Sequence, residues 1–285
     1  MTANNLQQSS TRLAKVSFQG ERGAYSEEAA FNFFGTNIKL KPCMELDEVF
    51  ESVECGETEY GVVPIENSLE GSVNQTYDLL LSSNLKVCGE IVLRIVHCLI
   101  VHPKAEKGSI KYVYSHPQAL AQCRNFIKRS GYKPIPYFDT AGSVKMIKEK
   151  GLLDAAAIAG RRAAEIYQMK VIAEGIEDKQ NNYTRFFILS KHDSPPTGED
   201  KTSIIFSVKH VPGALYNALE EFAKNGINLT KIESRPTKIK PWEYNFYLDF
   251  EGHIYEERCR EAIEKLKGKA LFIKILGSYP KAKIL

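Results

Sequence analysis

The chain has 285 residues, enough for two or three lobes with separate cores, and 43% hydrophobic with 26% charged residues is typical of a globular protein. Its 38 basic and 35 acidic residues nearly cancel and are interleaved, so we expect no nucleic-acid partner. The polar N-terminus has no secretory signal and no apolar stretch reaches the roughly 18 residues of a membrane helix, so we expect a cytoplasmic protein without a membrane partner.

The first two thirds of the chain predict an α/β domain over residues 14–192, after a polar extension at residues 1–13 that we expect to be disordered. Strands are predicted at 16–19, 60–65, 87–97, 99–101, 112–114, 155–159 and 186–189, and helices from Ser26, at 45–55, at 75–81, from Pro117, at 139–150 and at 160–167. Ser26 is the expected N-cap of the first helix. The alternation favours largely parallel pairing, and a sheet that the chain leaves and re-enters is typical of two-lobed domains with a cleft.

A second, smaller domain is predicted after a Pro-rich linker at residues 193–201. Strands are expected at 201–208, 227–235, 242–250 and 271–277, and helices at 212–225 and 255–267. This βαββαβ order over residues 202–280 is that of a ferredoxin-like unit.

Polar segments stand at the strand-to-helix junctions of the first domain, where open α/β sheets commonly bind ligands. The turn at 20–26 could hold an anion at a helix start or be only a structural turn. Residues 66–68 follow a buried strand and could line a site or cap the next helix. Residues 115–118, with Gln122 on the same helix face as Gln118, leave the same choice open.

The segment at 181–186 combines amides, a hydroxyl and a guanidinium just before the last strand of the domain. Arg185 is suited to a bidentate contact with a carboxylate, although a surface arginine in a polar loop would look the same. The six cysteines form no CxxC pair and adjoin no histidine cluster, so reduced thiols, no metal and no cofactor are expected. These residues alone indicate a cleft protein for a small anion.

Five segments, taken in order, resemble the prephenate dehydratase family: VSFQGERGAYS (16–26), PIENS (64–68), SHPQALAQ (115–122), DTAG (139–142) and NYTRF (182–186). The resemblance covers about residues 15–280 and implies a periplasmic-binding-protein-like catalytic domain with a cleft, followed by an ACT regulatory domain. No long helical segment precedes residue 16, so a fused chorismate mutase is not expected and the chain is expected to be monofunctional.

The resemblance implies candidate site residues. The catalytic candidates are Thr184, Arg185, Asn67, Ser115 and Gln122, and the substrate-binding candidates are Glu66, Ser68, His116, Phe186, Ala24 and Tyr25. The candidates for binding regulatory phenylalanine are Gly213, Ala214, Leu215, Asn228, Leu229, Glu233, Ser234, Arg235 and Pro236. The resemblance places the two phenylalanine-binding motifs of the ACT domain at residues 213–215 and 233–236, and Tyr216 stands where the first motif often ends in valine.

The implied reaction removes carbon dioxide and water from prephenate to give phenylpyruvate, and aromatisation of the ring drives it without a cofactor. We expect Thr184 to donate a hydrogen bond to the departing hydroxyl and Arg185 to bind the pyruvyl carboxylate, while Asn67, Ser115 and Gln122 orient the substrate. Because a threonine hydroxyl is a weak acid, a water or a neighbour must supply the proton, and Glu66 and His116 are the candidates.

L-Phenylalanine is the expected allosteric effector, bound between ACT domains of a homodimer or homotetramer. Two alternatives stay open: an arogenate dehydratase, which performs the same elimination on a substrate with an amino group, and a non-catalytic two-lobed amino-acid sensor.

Overall fold

The computed structural model describes residues 13–238 and 240–283, except for the side chain of Lys107. The predicted extension at 1–13 therefore lies, but for Leu13, outside the described residues. The strands are β1 Ala14–Gln19, β2 Ile38–Cys43, β3 Tyr60–Asn67, β4 Gly71–Ser72, β5 Lys86–Arg94, β6 Cys98–Val101, β7 Tyr112–Ser115, β8 Lys133–Pro136, β9 Ala155–Ala159, β10 Lys170–Glu174, β11 Tyr183–Ser190, β12 Asp200–Val208, β13 Leu229–Pro236, β14 Tyr244–Glu251 and β15 Ala270–Pro280. The α-helices are α1 Tyr25–Phe34, α2 Leu46–Glu54, α3 Asn74–Ser82, α4 Pro117–Gln122, α5 Arg124–Ser130, α6 Thr140–Lys150, α7 Arg161–Tyr167, α8 Ala214–Lys224 and α9 Glu257–Lys267.

Two sheets form the two lobes of the first domain. Lobe 1 has the strand order β2-β1-β3-β11-β5, with β4 beside β3, and lobe 2 has the order β10-β6-β9-β7-β8. The chain leaves lobe 1 after β5 and returns to it as β11, so residues 95–97 and 175–182 are the two crossing segments. Their backbones are joined, because Ile95 N donates to Asn182 O (2.8 Å) and Ile176 N donates to His97 O (3.2 Å).

The expectation of largely parallel pairing is wrong, because both lobes have mixed sheets. In lobe 1, β1 runs parallel to β2 and β3, whereas β11 is antiparallel to both β3 and β5. In lobe 2, β7 is parallel to β8 and β9, whereas β6 is antiparallel to β9 and β10. A strand that re-enters a sheet from the other lobe arrives from the opposite end, so it pairs antiparallel to its neighbours.

Strand β11 separates two hydrophobic cores. Phe186 and Ile188 join the core that continues from lobe 1 into lobe 2, whereas Phe187 and Leu189 join the core shared with the C-terminal domain. This follows from the strand period of two, which sends successive side chains to opposite faces. Residues next to each other in β11 therefore have different surroundings.

The C-terminal domain is the predicted βαββαβ unit, with an antiparallel sheet of order β13-β14-β12-β15 covered by α8 and α9. Its sheet packs against lobe 1 through Ile205, Tyr247 and Tyr279. At Gly277 of β15 the backbone comes so close to β5 that an added Cβ would lie 2.1 Å from Val87 O. Only glycine fits there, so backbone meets backbone across this junction.

The prediction that Ser26 is the N-cap of the first helix is wrong. Helix α1 begins at Tyr25, its N-cap is Ala24 without a side-chain hydrogen bond, and Ser26 is buried inside the first turn. Asp139, in contrast, caps α6 by accepting from Gly142 N (2.9 Å).

Candidate active site

The site is a cavity of about 200 Å³ between the two lobes, at the ends of strands and the starts of helices. Lobe 1 contributes Gln19, Ala24, Tyr25, Ser26, Pro64, Asn67, Thr184 and Phe186; lobe 2 contributes His116, Gln118, Ala119, Gln122, Phe138, Asp139 and Thr140; and the first crossing segment contributes Ile95 and His97. No lysine or arginine is among these described lining residues. The cavity is therefore polar but almost free of formal charge.

Asn67 and Thr184 meet where β3 and β11 pair side by side. The Nδ2 group of Asn67 donates to Thr184 Oγ1 (3.0 Å), and the Oδ1 atom of Asn67 accepts from the backbone N–H groups of Leu69 and Glu70. The amide of Asn67 is thus held by its surroundings in one orientation. Because the oxygen of Thr184 accepts from Asn67, its own O–H is left to donate into the cavity.

A chain of amides links this pair to lobe 2. Asn67 Nδ2 also donates to Asn182 Oδ1 (2.8 Å), and Asn182 Nδ2 donates to Gln122 Oε1 (2.9 Å). His97 Nε2 lies 2.9 Å from the same Gln122 oxygen, and His97 Nδ1 lies 2.9 Å from the Tyr25 hydroxyl. The cavity floor is thus one hydrogen-bonded network that joins both lobes.

Three helix N-termini face the cavity, those of α1, α4 and α6, since residues at each start line it. The starts of α4 and α6 are occupied by their own caps, His116 Nδ1 accepting from Gln118 N and Asp139 from Gly142 N. Helix α1 has no side-chain cap. Its first-turn N–H groups and the positive end of its dipole are therefore available to an anion.

Burial shifts the titratable groups of the cavity. It lowers the pKa of His97 and of His116, which keeps both imidazoles neutral near pH 7. It raises the pKa of Asp139, although hydrogen bonds from the backbone of Gly142 and Glu21 oppose the shift. Burial also raises the pKa of the Tyr25 phenol, which stays protonated.

The placement of Arg185 corrects the expectation that it binds a substrate carboxylate. Its side chain lies on the face of β11 opposite Thr184, where it meets Glu90 (Nε–Oε2 2.7 Å), Asp249 (Nη2–Oδ2 2.5 Å) and Glu66 (3.6 Å). It also lies over the ring of Phe187. The guanidinium is neutralised at the domain junction and cannot reach the cavity, because the strand period sends neighbours to opposite faces.

Three other candidates also lie outside the cavity. Ser115 is fully buried, and its Oγ donates to Ile158 O (2.6 Å). Glu66 pairs with Lys231 (2.8 Å) on the face shared with the C-terminal domain. Ser68 is exposed and bonds the backbone of Asn181. The expectations that these three contact substrate are corrected by this geometry, whereas Asn67, Gln122, Thr184, His116, Phe186, Ala24 and Tyr25 all line the cavity.

Sequence reasoning missed His97, which lies at the end of an apolar run that looked like a continuous strand. A histidine at a break in such a run was the available signal. Asn182, Asp139 and Gln118 were noticed only as parts of candidate segments, and Phe138 was given no role in a site. Asn182 has a fully buried side chain, which a polar loop residue does not predict.

The regulatory candidates fall into separate places. Ala214 and Leu215 line a cavity of about 380 Å³ with Tyr244 and Phe246, and Gly213 (φ 79°) is the N-cap of α8. Residues 233–236 lie on the edge strand β13 and do not line this cavity. Asn228 and Leu229 lie near the other end of β13.

Two of the contacts made by residues 233–236 reach lobe 1. Glu233 accepts from Ser72 Oγ (2.8 Å), and Arg235 lies 3.7 Å from Asp78. Part of the second ACT motif thus touches the first domain directly.

Within the described ranges, no group of three histidine, cysteine or acidic residues is arranged to hold a metal ion. In the same part of the chain, no helix is both long and apolar enough to cross a membrane.

Comparisons with known proteins agree with this architecture. The family model for prephenate dehydratase matches residues 16–194, and that for the ACT domain matches residues 202–268. The bifunctional chorismate mutase/prephenate dehydratase of Aquifex aeolicus is 46% identical over 271 residues, which are 94% of this chain and 74% of that protein.

The chloroplastic arogenate dehydratase/prephenate dehydratase 2 of Arabidopsis thaliana is 43% identical, over 93% of this chain and 72% of that protein. The crystal structure of prephenate dehydratase from Arthrobacter aurescens in complex with L-Phe is similar with a TM-score of 0.87 at 32% identity, covering 94% of this chain and 90% of that one.

Proposed function

The chain belongs to the prephenate dehydratase family and has an ACT domain, and from that membership we propose that it converts prephenate to phenylpyruvate under feedback by L-phenylalanine. Membership makes the chain a dehydratase enzyme rather than the non-catalytic sensor that the sequence pattern left open.

The direction of the hydrogen bond between Asn67 and Thr184 is the observation that carries the proposal. Because Asn67 Nδ2 donates to Thr184 Oγ1, the hydrogen of the threonine hydroxyl is not used in this contact and is available to donate towards the cavity. Hydroxide is a poor leaving group, so a donor at the departing oxygen is what this elimination requires. Thr184 supplies that hydrogen bond, and a proton from water or from another group accompanies it.

The positions of Glu66 and His116 bear on which group supplies that proton. Glu66 is paired with Lys231 outside the cavity, whereas His116 lines the cavity. The low pKa of His116 makes its imidazole neutral near pH 7, with Nδ1 accepting from Gln118 N and Nε2 left to carry the hydrogen. It therefore acts as a hydrogen-bond donor that orients a water or the substrate rather than as an imidazolium acid.

Since no arginine is among the described residues that line the cavity, other groups bind the carboxylates of prephenate. The uncapped N-terminus of α1, at Ala24, Tyr25 and Ser26, offers backbone N–H groups and a favourable dipole to one of them. A full positive charge beside the departing carboxylate would stabilise the ground state more than the transition state and slow decarboxylation. A nearly neutral cavity avoids that cost.

Regulation by phenylalanine is proposed at the ACT domain. The cavity beside Leu215 has both apolar and charged lining residues, which suits the phenyl ring and the charged ends of an amino acid. Glu233 joins the second motif to Ser72 of lobe 1. The edge strand β13 exposes Ile232, and a second copy of the chain pairing there would form a homodimer with the effector at the interface. Effector binding then changes activity through different affinities for the open and closed cleft.

The substrate is tested by measuring turnover of prephenate and of arogenate side by side, the first by formation of phenylpyruvate and the second by formation of phenylalanine. We expect a higher kcat/KM with prephenate, and a preference for arogenate would replace the proposed substrate by its amino analogue. Thr184→Val, which keeps the shape but removes the donor, should lower kcat by about 10²–10⁴-fold. A kcat of Thr184→Val close to that of the wild type would show that the reaction does not take place in this cavity.

A further inference from the structure

The side chain of His97 has no part in the mechanism above, although it lies in the floor of the cavity. It is 2% exposed and belongs to the first crossing segment. Its backbone N–H donates to Glu177 Oε2 (2.9 Å) and its carbonyl accepts from Ile176 N (3.2 Å), both on the second crossing segment. The imidazole is therefore fixed at the joint between the lobes.

The two ring nitrogens of His97 reach elements of different lobes. Nδ1 lies 2.9 Å from the hydroxyl of Tyr25 in α1, and Nε2 lies 2.9 Å from Oε1 of Gln122 in α4. An amide oxygen can only accept, so Nε2 carries the hydrogen. In the neutral ring Nδ1 is then an acceptor for the Tyr25 hydroxyl, whose single hydrogen is shared with Val96 O (2.9 Å).

The oxygen of Gln122 receives a second donor, Asn182 Nδ2, at 2.9 Å. Both of its lone pairs are thereby used, and a rotated amide would set its NH₂ group against two other N–H donors. Gln122 itself is half-buried and lines the cavity. The amide therefore has one stable orientation, with its carbonyl towards the protein and its NH₂ group towards the cavity.

We propose that His97 is a positioning residue, which holds the amide of Gln122 so that its NH₂ group donates to the substrate. The proposal rests on the proposed function, because it takes this cavity as the site of the dehydration. Two N–H donors on one oxygen hold the side chain in this orientation. Removing the donor of His97 leaves Asn182 alone to hold it, so Gln122 can more easily turn its oxygen towards an anionic substrate. An oxygen in that place repels what the NH₂ group would bind.

The test measures kcat and KM for variants at residue 97, with whichever of prephenate or arogenate the wild-type protein converts. His97→Leu keeps an apolar side chain but loses the donor, and we expect kcat/KM to fall about tenfold, the value of one hydrogen bond. His97→Gln sets an amide nitrogen near the former position of Nε2 and should restore activity to within about threefold of wild type. His97→Asn sets its nitrogen near the former Nδ1, towards Tyr25, and should be as impaired as His97→Leu.

A double-mutant cycle separates this role from a merely structural one. In a Gln122→Met background, His97→Leu should change kcat/KM less than about twofold, because the group through which His97 acts is gone. Equal rescue by His97→Asn and His97→Gln, or an undiminished effect of His97→Leu in the Gln122→Met background, would overturn the proposal. Thermal melts establish that each variant folds, and His97→Asn takes the place of His97→Leu in the cycle if the latter does not.

The two proposals fail in different ways. A wild-type protein that converts neither prephenate nor arogenate overturns the proposed function and this inference with it. A wild-type protein that is active, with variants at residue 97 that do not follow the predicted order, overturns only the role of His97.

Discussion

The two faces of strand β11 carry opposite kinds of polar chemistry. On the face towards the cleft, Thr184 belongs to a network of neutral amides and hydroxyls. On the other face, Arg185 is surrounded by three carboxylates, and Lys201 shares one of them, Glu90. The one charged residue of this motif, Arg185, thus joins two domains, whereas the uncharged Thr184 next to it faces the cavity. Formal charge in a motif does not by itself mark the place where chemistry occurs.

Changing Asn67 to aspartate should have the largest effect on the cleft face. A carboxylate cannot donate to Thr184 Oγ1, so the threonine hydroxyl would donate to the introduced carboxylate instead and be lost to the substrate. We expect Asn67→Asp to lower kcat by about 10²-fold or more, measured by formation of phenylpyruvate. Glu66→Gln changes the neighbouring residue on the other face and should leave kcat within a few-fold of wild type. Equal losses from both variants would show that the two faces are not functionally distinct.

Removing Arg185 should instead affect stability. Arg185→Met leaves Glu90 and Asp249 buried without their main partner, and breaking such a buried pair costs about 3–5 kcal/mol. Urea denaturation at constant pH measures this loss. Arg161→Met, which removes an exposed pair with Glu174, is the control and should change the midpoint little. A stable Arg185→Met protein with a raised KM would restore Arg185 as a substrate-binding residue.

Glu233 connects the proposed effector region with lobe 1, so its removal should weaken feedback. We expect Glu233→Ala to raise the phenylalanine concentration for half-inhibition at least about fivefold, in the usual range of allosteric coupling, without a matching loss of basal kcat. Glu261→Ala, on the exposed side of α9, is the matched control. Inhibition that persists at unchanged concentrations would remove Glu233 from the regulatory site.

The smallest expected effect is the pH dependence of stability due to His97. Burial lowers the pKa of this imidazole in the folded protein, while in the unfolded chain it titrates near 6.5. The unfolded chain therefore binds more protons just below pH 6.5, and the stabilisation present above that pH is lost as the pH falls through the folded pKa. The difference in unfolding free energy between wild type and His97→Gln should shrink on acidification from pH 7 to pH 5.

Much of the fold could be predicted because its central elements have strong local patterns. The small-residue strand at 155–159 is β9 without change, and the helix begun by Asp139 is α6 with Asp139 as its cap. Strands β2, β4, β8 and β10 were missed. Strand β2 alternates with lysines, and β8 contains two prolines that only an edge position tolerates. Edge strands bury fewer apolar side chains than central strands do, so the alternation of apolar and polar residues is too weak to identify them from the sequence.

Only those site residues that belong to recognisable sequence motifs could be predicted. Asn67, Gln122 and Thr184 were found because they stand at strand and helix ends, and the structure brings them to one cavity. Arg185 was assigned to the wrong face, because the start of β11, and with it the alternation of faces from Tyr183 onwards, was placed three residues too late. His97 was missed because its role depends on two crossing segments that lie about 80 positions apart in the chain. The histidine at a break in an apolar run marked the position, but the local sequence does not show which distant residues it pairs with.

The close contact at Gly277 has a consequence for protein engineering. The linker before β12 looks like a natural place to graft the C-terminal domain of a relative onto this chain. At Gly277, β15 contacts the backbone of Val87 with no room for a side chain. A donor domain with a residue other than glycine at this position would therefore be displaced from lobe 1. A working chimaera must therefore carry glycine there, together with the aspartate that faces Arg185, and successful grafts should be chosen by these two positions rather than by overall sequence identity.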